Sequence, residues 1–192
     1  MAWARPQVQK LFNMSKVKLF IAASLDGKIA RPDGSVSWLE EYPNPGGQDY
    51  GYNDFYAGVG AVVMGRKTYA EILGFDVPWP YANASTYVIT SNPELETPTP
   101  KTSLLHGIDV TAVRGIAESS GGYVWVVGGG EIISSFFNAG LVDELTLTII
   151  PRILGPGVPL FPKGTPETHL TLKSVASFPS GFVNLIYARK NA

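Results

Sequence analysis

The chain of 192 residues is 45% hydrophobic and 16% charged, with 15 Lys and Arg set against 16 Asp and Glu. That length supports one sizeable core and is short for two. The balanced charge, with no basic cluster, excludes the electrostatic footprint of a binder of nucleic acid or of an anionic membrane. Cysteine is absent, which excludes disulfides, thiolate nucleophiles and cysteine-based zinc sites. Only His106 and His169 remain as imidazoles; both read as surface residues, and no metal site is expected. No run approaches the roughly 20 apolar residues that span a bilayer, and residues 1–16 have neither an apolar h-region nor a small-residue cleavage site. The expectation is a cytoplasmic protein that binds a small molecule, with an N-terminal extension over 1–15 and a single domain over 16–192. Met14 can itself start a chain, so residues 1–13 read as dispensable.

In chain order, Val17 to Ala23 is a continuous apolar run, the pattern of a central buried strand. Asp26-Gly27 predicts a turn. Arg31 to Gly47 is a long loop, rich in Pro, Gly and Asn but carrying Trp38, Leu39 and Tyr42, and a loop of that length is usually a binding loop or lid. Asp49 to Tyr56 reads as a short helix with Asp49 capping its start. Ala61 to Met64 is a second buried strand, after which Gly65 opens a helix from Arg66 to Leu73. Thr86 to Thr90 is a third strand, stopped by Ser91-Asn92-Pro93. Asp109 to Ser119 has helical character and closes at Gly121-Gly122. The apolar strand ending at Val127 breaks into Gly128-Gly129-Gly130. Glu131 to Ala139 then places Ile132, Ile133, Phe136 and Phe137 on one helical face. Glu144 to Ile150 is a further strand, and Pro151 to Pro162 is a connection rich in Pro and Gly. Leu170 to Ser177 and Phe182 to Arg189, joined through Pro179-Ser180-Gly181, form an antiparallel hairpin. Strand and helix alternate, then strands follow alone, which predicts an α/β chain with a mostly parallel sheet and an antiparallel edge.

In a wound sheet, ligands sit at the carboxyl ends of the strands. Four such ends here carry small residues, hydroxyls, cations or bare backbone: Ala22-Ala23-Ser24, Gly65-Arg66-Lys67-Thr68, Thr90-Ser91 and Gly128-Gly129-Gly130. Glycines let backbone N–H groups approach a ligand closely, and a helix N-terminus beyond them favours an anion. Arg66 and Lys67 stand at the wrong end of their helix for cations, a cost that a bound phosphate would offset; a solvated pair of surface cations is the competing reading. Together the four ends point to a ligand with several phosphates and a flat ring, a nucleotide cofactor.

The order of Ala22 to Ala30, Val63-Met64-Gly65-Arg66-Lys67-Thr68-Tyr69, Val88-Ile89-Thr90-Ser91, Val127 to Gly130 and Val142-Asp143-Glu144-Leu145 through Pro151 resembles the dihydrofolate reductase superfamily. It is most similar to the branch of the reductase domain of the bifunctional riboflavin-biosynthesis deaminase-reductase. The resemblance spans about Lys16 to Arg189 and implies a three-layer fold with helices on both faces of the sheet. It implies an NADPH-dependent reductase acting on a small heterocyclic or ribosylamino-pyrimidine-like substrate. By the same resemblance Ala22 and Ile29 hold the nicotinamide carboxamide, and Gly128, Gly129 and Gly130, with the helix start at Glu131 and Ile132, contact the diphosphate. Gly65 opens the helix whose Arg66 and Lys67, with Thr90 and Ser91, receive the 2′-phosphate, while Thr68 binds a neighbouring phosphate. Glu131 departs from the family, which often has a basic residue there.

An acceptor reduced by hydride also needs a proton. The family's acidic anchor, counted back from Met64, falls on Asp49, with a plain helix cap as its other reading and Asp54 or water as rival proton sources. Thr148 matches the family threonine that hydrogen-bonds that acid. Trp38, Tyr50, Tyr52, Phe55 and Tyr56 are candidates for an aromatic substrate wall, or for core. Asp26 is read as shaping its turn. Pro43-Asn44-Pro45-Gly46-Gly47 replaces the family's tryptophan-bearing loop, against dihydrofolate itself. A dihydrofolate reductase proper and a non-catalytic NADP(H)-binding sensor or assembly module remain the alternatives, and the apolar terminal hairpin leaves room for a homodimer.

Overall fold

The computed structural model describes residues 16–44 and 46–190. The expected N-terminal extension lies outside them. Among the described residues there are ten strands: β1 (Val17–Ser24), β2 (Lys28–Ala30), β3 (Val59–Gly65), β4 (Ser85–Ile89), β5 (Thr102–Leu105), β6 (Tyr123–Gly128), β7 (Glu144–Ile150), β8 (Val158–Pro159), β9 (Leu170–Ser177) and β10 (Val183–Arg189). Four helices join them, α1 (Tyr52–Tyr56), α2 (Arg66–Leu73), α3 (Val110–Ser119) and α4 (Gly130–Asn138), with a 3-10 turn at Ser37–Leu39 in the long loop.

Eight strands form one sheet in the order β5-β4-β3-β6-β1-β7-β10-β9. From β5 to β7 every pair is parallel, and β10 runs antiparallel to both β7 and β9. β2 and β8 make a separate antiparallel pair. The strand order doubles back beside β1, so the ends of β1, β3, β4 and β6 face one crevice, as open α/β sheets require.

The central strands are apolar on both faces because both are covered. On one side Val17, Leu19, Val63, Val124 and Val126 pack with Val113 and Ala117 of α3 and with Ile133, Phe136 and Phe137 of α4. On the other, Val62, Met64, Val88 and Trp125 pack with Tyr69 and Ile72 of α2, and with Tyr52 and Phe55 of α1. This is the α/β, dihydrofolate-reductase-like arrangement, with two helices on each face.

Two elements differ from expectation. The helix expected from Asp49 begins at Tyr52, because Tyr50 (φ 54°) and Gly51 (φ 84°) are left-handed, a backbone that no right-handed helix contains. The short strand Thr102–Leu105 has no apolar run to announce it; it is an edge strand held by parallel pairing to β4, and a one-sided, half-exposed edge carries little pattern.

Candidate cofactor and substrate site

A cavity of about 710 Å³ opens at the carboxyl ends of β1, β3, β4 and β6, within the size range of cofactor pockets. Ala22, Ile29, Gly65, Arg66, Lys67, Thr68, Thr90, Ser91, Gly128, Gly129, Gly130, Glu131 and Ile132 all line it. The chain order scatters them over more than a hundred positions; the parallel sheet collects them. Phe20, Val36 and Leu39 line it too. Phe20 lies two residues before Ala22, and in a strand that spacing puts it on the same face.

The wall has two characters. Arg66, Lys67, Thr68, Thr90, Ser91 and the triple glycine make one part polar and cationic, while Phe20, Ala22, Ile29, Val36 and Leu39 make another apolar. Two helices begin at the polar part. α2 starts from Gly65 and α4 from Gly129, and neither start has a side-chain cap. By contrast α3, away from the cavity, is capped by Asp109, whose carboxylate accepts from the N–H of Ala112 at 2.9 Å. Unpaired N–H groups at a helix start must find an acceptor, and here they lie along a cavity.

The two helix starts also touch. A side-chain carbon on Gly65 would sit 3.0 Å from Ile132 Cγ1, and one on Gly130 would sit 2.7 Å from the Pro159 carbonyl, so no larger residue fits at 130 without displacing backbone. Gly128 holds φ 141°, a conformation open to glycine. Arg66 and Lys67 are exposed and make no ion pair among the described residues. Glu131 and Glu71 bring carboxylates to the same wall. Burial first, and then the charge of Asp33, push the Glu71 carboxyl above its ordinary value.

The long loop is fastened over this site by ions. Glu41 accepts from Arg152 at 2.6 Å and from Arg31 at 3.0 Å, and those two guanidiniums hold its carboxyl below the usual range. Asp26 accepts from the Ser24 hydroxyl at 2.6 Å and from the N–H groups of Leu154 and Gly155 at 3.0 and 2.8 Å. These bonds, the hydroxyl first, lower Asp26 to about 2. Its role therefore extends beyond its own turn to tying the start of β2 to the connection after β7.

The expected acceptor residues are placed differently from the cofactor set. Trp38 is fully buried against Ile150 and Phe182 and does not reach the cavity. Tyr52 and Phe55 stand one layer behind, with ring centroids 6.1 and 4.6 Å from Phe20, which itself forms the wall. Asp49 lines no part of the cavity. Its exposed carboxylate accepts from the N–H groups of Gly51 at 3.0 Å and Asn53 at 2.9 Å, and these, Asn53 first, lower its pKa. The expected place of Asp49 beside the acceptor is thus corrected: its oxygens are engaged by its own turn, and it lines no part of the cavity. Asp54, its rival, is exposed in the first turn of α1 and lines no part of the cavity. Thr148 is also corrected. Its hydroxyl donates to Asn184 Oδ1 at 2.7 Å, not to Asp49. Asn184 donates in turn to the Tyr50 carbonyl at 2.6 Å. Asn184 went unread in the sequence because a lone amide in an alternating strand has no signature.

Comparison with known proteins places these features in a family. The model of the RibD C-terminal domain matches residues 79–184. The uncharacterized protein YwjB of Bacillus subtilis (strain 168) is 38% identical over 174 residues, covering 91% of this chain and 98% of its own. A crystal structure from Shewanella sp. PV-4, of a protein assigned by name to riboflavin biosynthesis, superposes with a TM-score of 0.82 at 32% identity, covering 92% of this chain and 99% of that one. At the level of fold alone, dihydrofolate reductase from Enterococcus faecalis, solved with NADP(H), gives a TM-score of 0.64 at 16% identity over 93% of this chain and 98% of its own. Among the described residues no helix is long and apolar enough to cross a membrane.

Proposed function

We propose that this chain, which belongs to the RibD C-terminal domain family, is an NADPH-dependent reductase that delivers a hydride to a small heterocycle similar to 5-amino-6-(5-phosphoribosylamino)uracil. Family membership supports a riboflavin-pathway type of reductase, and the NADP(H) carried by the dihydrofolate reductase of the same fold supports the cofactor. The observation that carries the reading is the pair of uncapped helix starts, at Gly65 and Gly129, on one cavity beside Arg66 and Lys67. Their free N–H groups and the positive ends of two dipoles suit a diphosphate. Thr90, Ser91, Arg66 and Lys67 suit a further phosphate on the ribose, which NADH lacks.

In this reading Thr68 and the backbone of Gly128 to Gly130 grip the diphosphate. Ala22 and Ile29 hold the nicotinamide carboxamide at the apolar end, beside Phe20, Val36 and Leu39. When bound, NADPH supplies the hydride. The protein's own work is to hold the reducible carbon of the acceptor against the nicotinamide ring and keep water from between them. The carboxylates of the cavity wall are Glu71 and Glu131, carried on α2 and α4. In this reading water delivers the proton to the acceptor. The position of Asp49, bonded to Gly51 and Asn53 and off the cavity wall, speaks against dihydrofolate, whose ring dihydrofolate reductases grip with an acid.

The test has two arms. A ligand at a hundredfold excess over its Kd adds about 2.7 kcal/mol, which for a domain of this size raises Tm by roughly 5–10 °C. NADPH is expected to do so more strongly than NADH, and no shift with either sinks the proposal. Loss of NADPH absorbance is then followed with 5-amino-6-(5-phosphoribosylamino)uracil and with dihydrofolate. Turnover of the first identifies the reductase, turnover of the second a dihydrofolate reductase, and binding without turnover of either a sensor.

A further inference from the structure

Two buried polar side chains on one face of the sheet form a relay to a loop carbonyl. Thr148 and Asn184 are directly opposite across the β7–β10 pair, and both are more than nine-tenths buried. The Thr148 hydroxyl donates to the Asn184 amide oxygen at 2.7 Å, and the amide nitrogen donates to the Tyr50 carbonyl at 2.6 Å. Each bond fixes the next, since the hydroxyl orients the amide so that its N–H faces the loop. An amide buried this deeply is costly unless it is satisfied, so the pairing has a directional purpose that an apolar pair could not serve.

Tyr50 is the residue that most needs holding. It is one of two non-glycine residues with left-handed backbone among those described, at φ 54°. Its ring is clamped by Phe178 and Phe182, with centroids 4.9 and 4.8 Å away. Immediately after it the chain enters α1, whose Tyr52 and Phe55 press on Phe20, and Phe20 forms the cavity wall next to Ala22. Sheet floor, loop carbonyl, short helix and cavity wall are thus one mechanical series.

We propose that Asn184, oriented by Thr148, is a positioning residue for the acceptor side of the site. It sets where α1 and therefore Phe20 stand, while the phosphate-binding part of the cradle lies on β3, β4, β6, α2 and α4, none of which pairs with β7 or β10. The proposal rests on the reductase reading for its effect on turnover, and on geometry alone for its effect on α1.

Asn184→Leu keeps the volume and removes both bonds; Thr148→Val and Thr148→Ser remove and keep the orienting hydroxyl. Amide hydrogen exchange over residues 49–56 is expected to quicken about tenfold in Asn184→Leu and Thr148→Val, the factor one buried hydrogen bond is worth, and to return to normal in Thr148→Ser. Exchange in β1 and β7 stays as in the parent. With 5-amino-6-(5-phosphoribosylamino)uracil as probe, KM rises by about the same factor while kcat and the Kd for NADPH stay within about twofold. Unchanged exchange over 49–56 overturns the proposal, and so does faster exchange with an unchanged KM, which leaves a structural role only. If the parent neither binds NADPH nor turns over the probe, the reductase reading fails, and exchange alone decides the relay. If Asn184→Leu does not fold, the two Thr148 variants decide it.

Discussion

Thr68 Oγ1 stands 3.5 Å from where a side-chain carbon on Gly129 would begin, so the first turns of α2 and α4 share one corner of the cavity. That spacing is ordinary van der Waals contact, and Gly129 has φ −81°, which any residue adopts. Gly129→Ala should therefore fold. Its methyl group occupies the space between the two helix starts where a diphosphate would lie. The expected outcome is a Tm within about 4 °C of the parent, since caps and glycines of this kind are worth tenths of a kcal/mol to about 1 kcal/mol. NADPH affinity, read by titration, should fall by tenfold or more on the order of one lost charge-assisted contact.

Arg66 is exposed and without an ion-pair partner among the described residues, so its charge is free for a ligand. Arg66→Glu should weaken NADPH by about 10- to 100-fold, the worth of a charged hydrogen bond plus the new repulsion. NADH, which lacks the 2′-phosphate, should change by no more than about threefold in the same titration. Equal losses for the two nucleotides would remove Arg66 from the 2′-phosphate site.

Asp26 predicts a pH effect. Its folded pKa is lowered, to about 2 from 3.8, by the Ser24 hydroxyl and the N–H groups of Leu154 and Gly155. A carboxylate with a depressed folded pKa contributes stability above its unfolded value and loses it as pH falls through the folded one. Asp26→Asn should thus be less stable than the parent at neutral pH. The gap in denaturation midpoint should narrow from about pH 4 downward and close near pH 2. A gap that stays constant across that window would mean that the anchor works through shape and not through charge.

Much of this molecule is legible in its sequence where a residue's partner lies along the chain or in the pattern of the strands. β7, β9 and α2 fall on the expected boundaries because strand-forming residues in alternation, the turn residues that flank them and a glycine start define them. The four strand ends meet in one cavity because parallel strands that alternate with helices align their carboxyl ends. The acceptor side depends on tertiary pairing, and there the sequence misleads. Asp49 looks like the start of a helix and an acid facing the ring, yet two left-handed residues follow it and turn its carboxylate onto Gly51 and Asn53. Thr148 finds its partner 36 residues away, across the β7–β10 pair, in an amide that no local pattern distinguishes.

That geometry makes a prediction about Asp49 itself. Its oxygens are spent on backbone N–H groups, and Asn53 and Gly51 hold its pKa low. Asp49→Asn keeps one such oxygen and removes the charge. Turnover at neutral pH should stay within about twofold, as for a group that takes no part in proton transfer. A fall by two orders of magnitude, the usual worth of a general acid, would show that Asp49 swings toward the acceptor during catalysis.

Glu131 is the residue for which stability and binding should move in opposite directions. It lies in the first turn of α4 and on the cavity wall. As a carboxylate at a helix start it stabilises α4 by roughly 0.3–1 kcal/mol. It also stands in the corner proposed for the diphosphate, where like charge weakens binding. Glu131→Gln removes both effects. The apo protein should melt about 1–3 °C lower, while NADPH and NADH should both bind roughly two- to fivefold more tightly at low salt, with the gain shrinking as ionic strength rises. Because the diphosphate is common to the two nucleotides, Glu131 should not set the preference between them; Arg66 and Lys67 should. A Glu131→Gln protein that gains NADPH affinity alone would instead place Glu131 beside the 2′-phosphate, and would shift that subsite from the α2 start toward the α4 start.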